Sequence, residues 1–89
     1  MTKRFDEKIV IITGAGSGLG QAATLQLAKE GAKLSLVDLN EDGLKETNDL
    51  VLEVAPDCET LLITANVAKE EEVKNYVDET VAKFNKIDG

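Results

Sequence analysis

Three short aliphatic runs punctuate the chain: Ile9-Val10-Ile11-Ile12, Leu34 with Leu36-Val37, and Leu61-Leu62-Ile63. Runs with so little polar alternation suit parallel strands covered on both faces. After each run the small and apolar residues recur at helical spacing. Ala22, Ala23, Leu27 and Ala28 follow the first, Leu44, Thr47, Val51 and Val54 the second, and Val73, Val77, Val81 and Phe84 the third. This pattern predicts strands over 8–13, 33–38 and 59–65, with helices over about 18–30, from Asn40 to just before Pro56, and over about 69–84. Gly31 stands where a glycine commonly follows a helix. Asn40 is a fitting N-cap, and Pro56 blocks continuation of the second helix. Residues 1–7 read as a loose arm, and residues 87–89 as the opening of a fourth strand that is then cut off.

Strand and helix alternating three times demand a parallel sheet, so the fold class is α/β. Right-handed crossovers set the sides. With strand order 3-2-1, the first two helices cover one face, and the third begins the return across the other.

Composition narrows the function classes. The 89 residues make one small domain at most, with a thin core. A net charge of −7 argues against a nucleic-acid partner, which needs a basic face; simple solubility explains the acidity. Cys58 is the single cysteine, so no internal disulfide is possible, which suits a cytoplasmic setting. It lies beside Pro56-Asp57 in an expected loop. With no histidine in the chain to serve as base, a nucleophilic role for it is not the reading. The first residues lack the apolar core of a signal peptide. No stretch approaches the roughly 20 apolar residues that span a bilayer, so no membrane partner is expected. Glu70, Glu71 and Glu72 open the third helix, where acidic charge suits the dipole and needs no metal.

The sharpest local signal is Thr13-Gly14-Ala15-Gly16-Ser17-Gly18-Leu19-Gly20, placed between the first strand and the first helix. A helix start leaves N–H groups without internal acceptors and carries about half a positive charge. A diphosphate there gains both donors and field. In that picture Gly14 allows a tight turn off the strand. Gly18 allows close approach of backbone to ligand, and Gly20 lets the helix sit close on the strand. Ser17 offers a hydroxyl to the ligand. A glycine-rich turn with no ligand is the plainer alternative for a G-x-G-x-x-G pattern taken by itself.

The spacing here is more specific. T-G-x-x-x-G-x-G resembles the cofactor loop of the short-chain dehydrogenase/reductase family. The resemblance continues at Asp38, at Asn66-Val67 and at Lys86-Ile87-Asp88-Gly89, and so covers essentially the whole chain. It implies the N-terminal half of a Rossmann-type doubly wound sheet, βαβαβα, and points to NAD-dependent members that act on alcohols and ketones.

Asp38 ends the second strand about twenty residues after the loop, where a carboxylate accepts both hydroxyls of an adenosine ribose and repels a 2′-phosphate. NADP-preferring relatives of that family usually carry a basic residue beside this acid or in the loop; here Leu39 and Ser17 stand in those places. The expected cofactor is therefore NAD. An Asp38 that only caps the next helix, or is merely solvated, is the alternative. The resemblance further implies an Asp-Val pair against the adenine. This chain has Asn66-Val67 instead, and an amide carbonyl still accepts that hydrogen bond, without charge. Ala68 replaces the hydroxyl residue usual as the third helix's N-cap, a loss worth about 1 kcal/mol, unless Asn66 caps instead. The expected cofactor-binding residues are Gly14, Ser17, Gly18, Leu19, Gly20, Asp38, Leu39, Asn66 and Val67.

No catalytic residue is expected in the chain. The family's relay resembles a Tyr-x-x-x-Lys pair with a serine and an asparagine. Tyr76 is the only tyrosine, and four residues on stands Thr80. The expectation is the cofactor-binding half of an oxidoreductase that moves hydride between a nicotinamide and a carbonyl or secondary alcohol, inactive as 89 residues. The alternatives are a nucleotide-binding module without chemistry, or a self-associating fragment. A first strand without its usual neighbour leaves an open edge, and a single helix on one face leaves apolar surface bare; both favour a homo-oligomer.

Overall fold

The computed structural model describes residues 8–89; the expected loose arm, 1–7, lies outside them. β1 (Ile9–Thr13), α1 (Gly18–Lys29), β2 (Lys33–Asp38), α2 (Glu41–Val54), β3 (Thr60–Thr64) and α3 (Glu70–Phe84) follow one another in the expected alternation. The sheet is parallel, with β2 between its neighbours. Ile9 pairs with Lys33 at one end, and Asp38 with Thr64 at the other. The order is therefore that expected, 3-2-1.

Being central, β2 is the most deeply buried strand: Leu34, Ser35, Leu36 and Val37 have no exposed surface. Successive strand residues point to opposite faces. Leu34 and Leu36 join Ile12 against Ala28 of α1 and Leu44 and Val51 of α2. Val37 joins Ile63 and Ala65 against Tyr76 of α3, with Ile11, Val73 and Val77 packed around them. Helices α1 and α2 thus share one face, and α3 takes the other.

Two helix faces differ from the sequence expectation, and hydroxyls explain why. On α1, Ala22 and Ala23 are exposed; Thr24 and Ala28 turn inward. Thr24 buries at little cost because its Oγ1 donates to the Gly20 carbonyl at 2.7 Å. On α3, Val81 is 42% exposed, and the inward stripe is Tyr76, Thr80 and Phe84, with Val73 and Val77 only half-buried beside it. Thr80 Oγ1 lies 2.7 Å from the Tyr76 carbonyl and 2.8 Å from Ser35 Oγ across the interface. Partnered hydroxyls can occupy core positions that periodicity assigns to valine. Val54, at the end of α2, is also exposed.

Residues 87–89 add no strand, yet they lie along β1. Ile9 N–H donates to Asp88 Oδ2 at 2.8 Å, and Ile11 N–H to the Gly89 carbonyl at 2.8 Å. Ile9 O in turn accepts from Asp88 N–H and Gly89 N–H. The Ile9 N–H, helped by Lys86, holds the Asp88 carboxyl below its ordinary value. The open β1 edge expected from sequence is thus already engaged over Ile9 and Ile11. Among the described residues no helix is long and apolar enough to cross a membrane.

Candidate functional site

Every expected site residue lies at the C-terminal ends of the strands, where ligands of open α/β sheets bind. β1 ends at Thr13, and Gly14 takes a left-handed φ of 68°, open to glycine at no steric cost. The turn closes on the Gly14 carbonyl, which accepts from Ser17 N–H at 3.1 Å and Ser17 Oγ at 2.8 Å. The Ser17 hydroxyl here donates to the loop, and its oxygen keeps lone pairs with which to accept. Gly20 faces Gly14 directly: a β-carbon on Gly20 would stand 2.0 Å from the Gly14 carbonyl oxygen. Only glycine allows α1 to start this close to the strand.

Gly18 is the opposite case. A β-carbon there would meet nothing within 4 Å. Leu19 beside it is 91% exposed. As the first residues of α1, Gly18, Leu19 and Gly20 have no acceptor for their N–H groups within the helix. Ser17, at the N-cap, makes no side-chain capping bond, and the first turn holds no acid. By contrast α2 opens with Glu41 and Asp42, and α3 with three glutamates. The start of α1 thus carries neither a side-chain cap nor an acid of its own and is accessible.

Asp38 points at this loop. Its Oδ2 accepts from Gly16 N–H at 2.9 Å, and its Oδ1 from Asn40 N–H at 3.1 Å. An ionised carboxylate has about four lone-pair sites, so each oxygen keeps one for further donors. The cap of α2 is Asn40, whose Oδ1 accepts from Gly43 N–H at 3.1 Å. Asp38 does not cap that helix itself; it steadies the residue that does. Leu39 is 63% exposed beside it.

Ala65 N–H donates to the Asp38 carbonyl at 3.1 Å, which sets Asn66 next to the end of β2. Asn66 Oδ1 accepts from Ala68 N–H at 2.9 Å, leaving a second lone pair. Val67 is 48% exposed. Neither Ala68 nor Asn66 is the N-cap of α3; Lys69 is, with no side-chain bond of its own. Asn66 instead closes the turn before it. Glu72 reaches back to Asn66 N–H at 2.9 Å. That role is not visible in a glutamate read only as dipole compensation.

Four further residues build the floor of the loop: Gly16, Gln21, Gly43 and Thr47. Thr47 is fully buried, with Oγ1 2.7 Å from the Ala15 carbonyl and receiving Gln21 Nε2 at 3.1 Å. Helical spacing places Thr47 on the inner face of α2, but nothing local reveals a partner 32 residues back. Tyr76 is packed in the core of the α3 face, away from these residues. Cys58 lies beyond the far ends of the strands, its Sγ 3.3 Å from the Ala32 carbonyl. Among the described residues no group of acids and cysteine is placed to hold a metal ion.

Residues 8–89 match the family model described as short chain dehydrogenase. Levodione reductase of Leifsonia aquatica is 51% identical over 88 residues, which cover 99% of this chain and 33% of that protein. The CLA biosynthesis dehydrogenase/reductase of Lactiplantibacillus plantarum is 40% identical, over 97% of this chain and 29% of that one. The crystal structure of levodione reductase superposes with a TM-score of 0.95 at 51% identity, covering 97% of this chain and 33% of that one. That of NAD+-bound xylitol dehydrogenase superposes at 0.90 with 37% identity, covering 97% and 32%. The chain thus spans about a third of the length of these relatives.

Proposed function

The chain belongs to the short chain dehydrogenase family, and we propose that it is the cofactor-binding half of an NAD-dependent oxidoreductase acting on a carbonyl or secondary alcohol. The residues fit a dinucleotide. The N–H groups of Gly18, Leu19 and Gly20 receive the diphosphate, in the space a β-carbon on Gly18 would fill. Asp38 accepts the adenosine ribose hydroxyls on the lone pairs that Gly16 and Asn40 leave unused. Asn66 offers its amide carbonyl to the adenine amine, with Leu39 and Val67 as apolar walls. When bound, the nicotinamide would supply or accept the hydride. The choice of NAD over NADP rests on the Asp38 charge and on the lack of a cation at positions 17 and 39.

The observation that carries this reading is the Gly16–Asp38 hydrogen bond, which joins the phosphate loop and the ribose acid into one crevice. The single tyrosine, Tyr76, packs in the core of the α3 face and is followed four residues on by Thr80, so these 89 residues are expected to bind without turnover. A cytoplasmic location and self-association belong to the same reading. A second copy pairing with β1 would have to displace the hydrogen bonds of Asp88 and Gly89.

Titration calorimetry on the 89-residue chain tests it. NAD is expected to bind at least tenfold more tightly than NADP, a gap of about 1.4 kcal/mol. ADP, which shares the adenosine and diphosphate, should keep most of the affinity. NADP binding as tightly as NAD, or reduction of NAD when an alcohol is added, would contradict it.

A further inference from the structure

One peptide of the glycine loop is gripped at both ends. The Ala15 carbonyl accepts from Thr47 Oγ1 at 2.7 Å, and the N–H of the same peptide, on Gly16, donates to Asp38 Oδ2 at 2.9 Å. A peptide unit is planar, so its carbonyl and N–H rotate together. Fixing the carbonyl fixes the direction of the N–H. Threonines inside helices commonly bond the carbonyl one turn back. Thr24 and Thr80 do so, to Gly20 and Tyr76. Thr47 has that carbonyl available too, on Gly43 at 2.9 Å, but its shorter contact leaves the helix for the loop. Gln21 Nε2 donates to the same hydroxyl oxygen from α1. There is no slack between α2 and the loop: a β-carbon on Gly43 would stand 2.7 Å from the Gly16 carbonyl oxygen.

We infer that Thr47 is a positioning residue: through the Ala15–Gly16 peptide its hydroxyl holds the Asp38 carboxylate facing the crevice, and so helps to set the preference for a free 2′-hydroxyl. The effect on nucleotide choice rests on the function proposed above; the clasp itself does not. Thr47 touches no ligand in this scheme. It acts at two removes, through Gly16 N–H and then Asp38.

The test uses the full chain with Thr47→Val, which keeps the shape and removes the hydroxyl, and Thr47→Ser, which keeps the hydroxyl. Without nucleotide, Gly16 amide hydrogen exchange should quicken about tenfold in T47V, the loss of roughly one hydrogen bond, and stay near wild type in T47S. With nucleotide, NAD should weaken about fivefold in T47V while NADP holds, so the preference narrows by that factor, and T47S restores it. A purely structural role would weaken both nucleotides alike and quicken exchange throughout the sheet. That result, or unchanged Gly16 exchange in T47V, overturns the inference. If T47V does not fold, Thr47→Ala against Thr47→Ser isolates the same hydroxyl, and equal Gly16 exchange in that pair overturns it. If wild type binds neither nucleotide, the function proposed above fails, while Gly16 exchange still decides the clasp.

Discussion

Gly20→Ala is expected to cost about 3 kcal/mol, at the upper end of overpacking effects, because the added methyl would meet backbone at 2.0 Å. Backbone cannot step aside as a side-chain tip does. The strand end and α1 must part, and the loop between them must reshape. In a domain of this size that loss lowers the melting temperature by roughly 15 °C. Gly18→Ala, two residues earlier, is expected to behave oppositely. Its methyl meets nothing within 4 Å, and alanine suits a helix better than glycine by up to about 1 kcal/mol. The melting temperature should hold or rise. Nucleotide affinity should fall at least tenfold, since the methyl fills the approach to the N–H groups. Thermal unfolding and calorimetry on both variants separate a glycine required by packing from one required by the ligand. Equal losses of stability in the two would defeat the assignment.

Asp38→Asn is expected to weaken NAD about thirtyfold, from loss of charged hydrogen bonds worth roughly 2 kcal/mol. The substitution keeps the shape and removes the charge. It also turns one acceptor into a donor. Gly16 N–H and Asn40 N–H now hold one carboxylate oxygen each, and an amide can serve only one of them. NADP should not weaken in step, because the charge that repels its 2′-phosphate is gone. The ratio of NAD to NADP affinity should therefore collapse toward one. An unchanged ratio would mean that Asp38 does not meet the ribose.

What the sequence makes legible here is what lies within one local window. The glycines, the three strands and Asp38 at the end of β2 each depend on neighbours in sequence, and once the order 3-2-1 is taken the handedness of the crossovers places the helices on their faces. The contacts that lock the site are long-range. Thr47 meets Ala15 across 32 residues, and Asp88 meets Ile9 across 79. No period reports such a pairing. The inner face of α3 was hard to read for another reason. Val73, Val77 and Val81 advertise a stripe, but Thr80 takes the core position because Ser35 and the Tyr76 carbonyl satisfy its hydroxyl. Likewise Ala22 and Ala23 fit either side of a helix, so small residues could not fix the phase of α1. Lys69 as N-cap escapes the usual preference because Asn66 and Glu72 fasten the turn before it.

The central claim is that the bare start of α1 receives a diphosphate. Backbone amide resonances followed through an ADP titration test it most directly. The account predicts the largest shifts at Gly18, Leu19 and Gly20, saturating together, with smaller ones at Gly16 beside Asp38. Shifts centred elsewhere, for example between Ala32 and Cys58 at the far ends of the strands, would contradict it, as would a folded chain in which those three amides do not move.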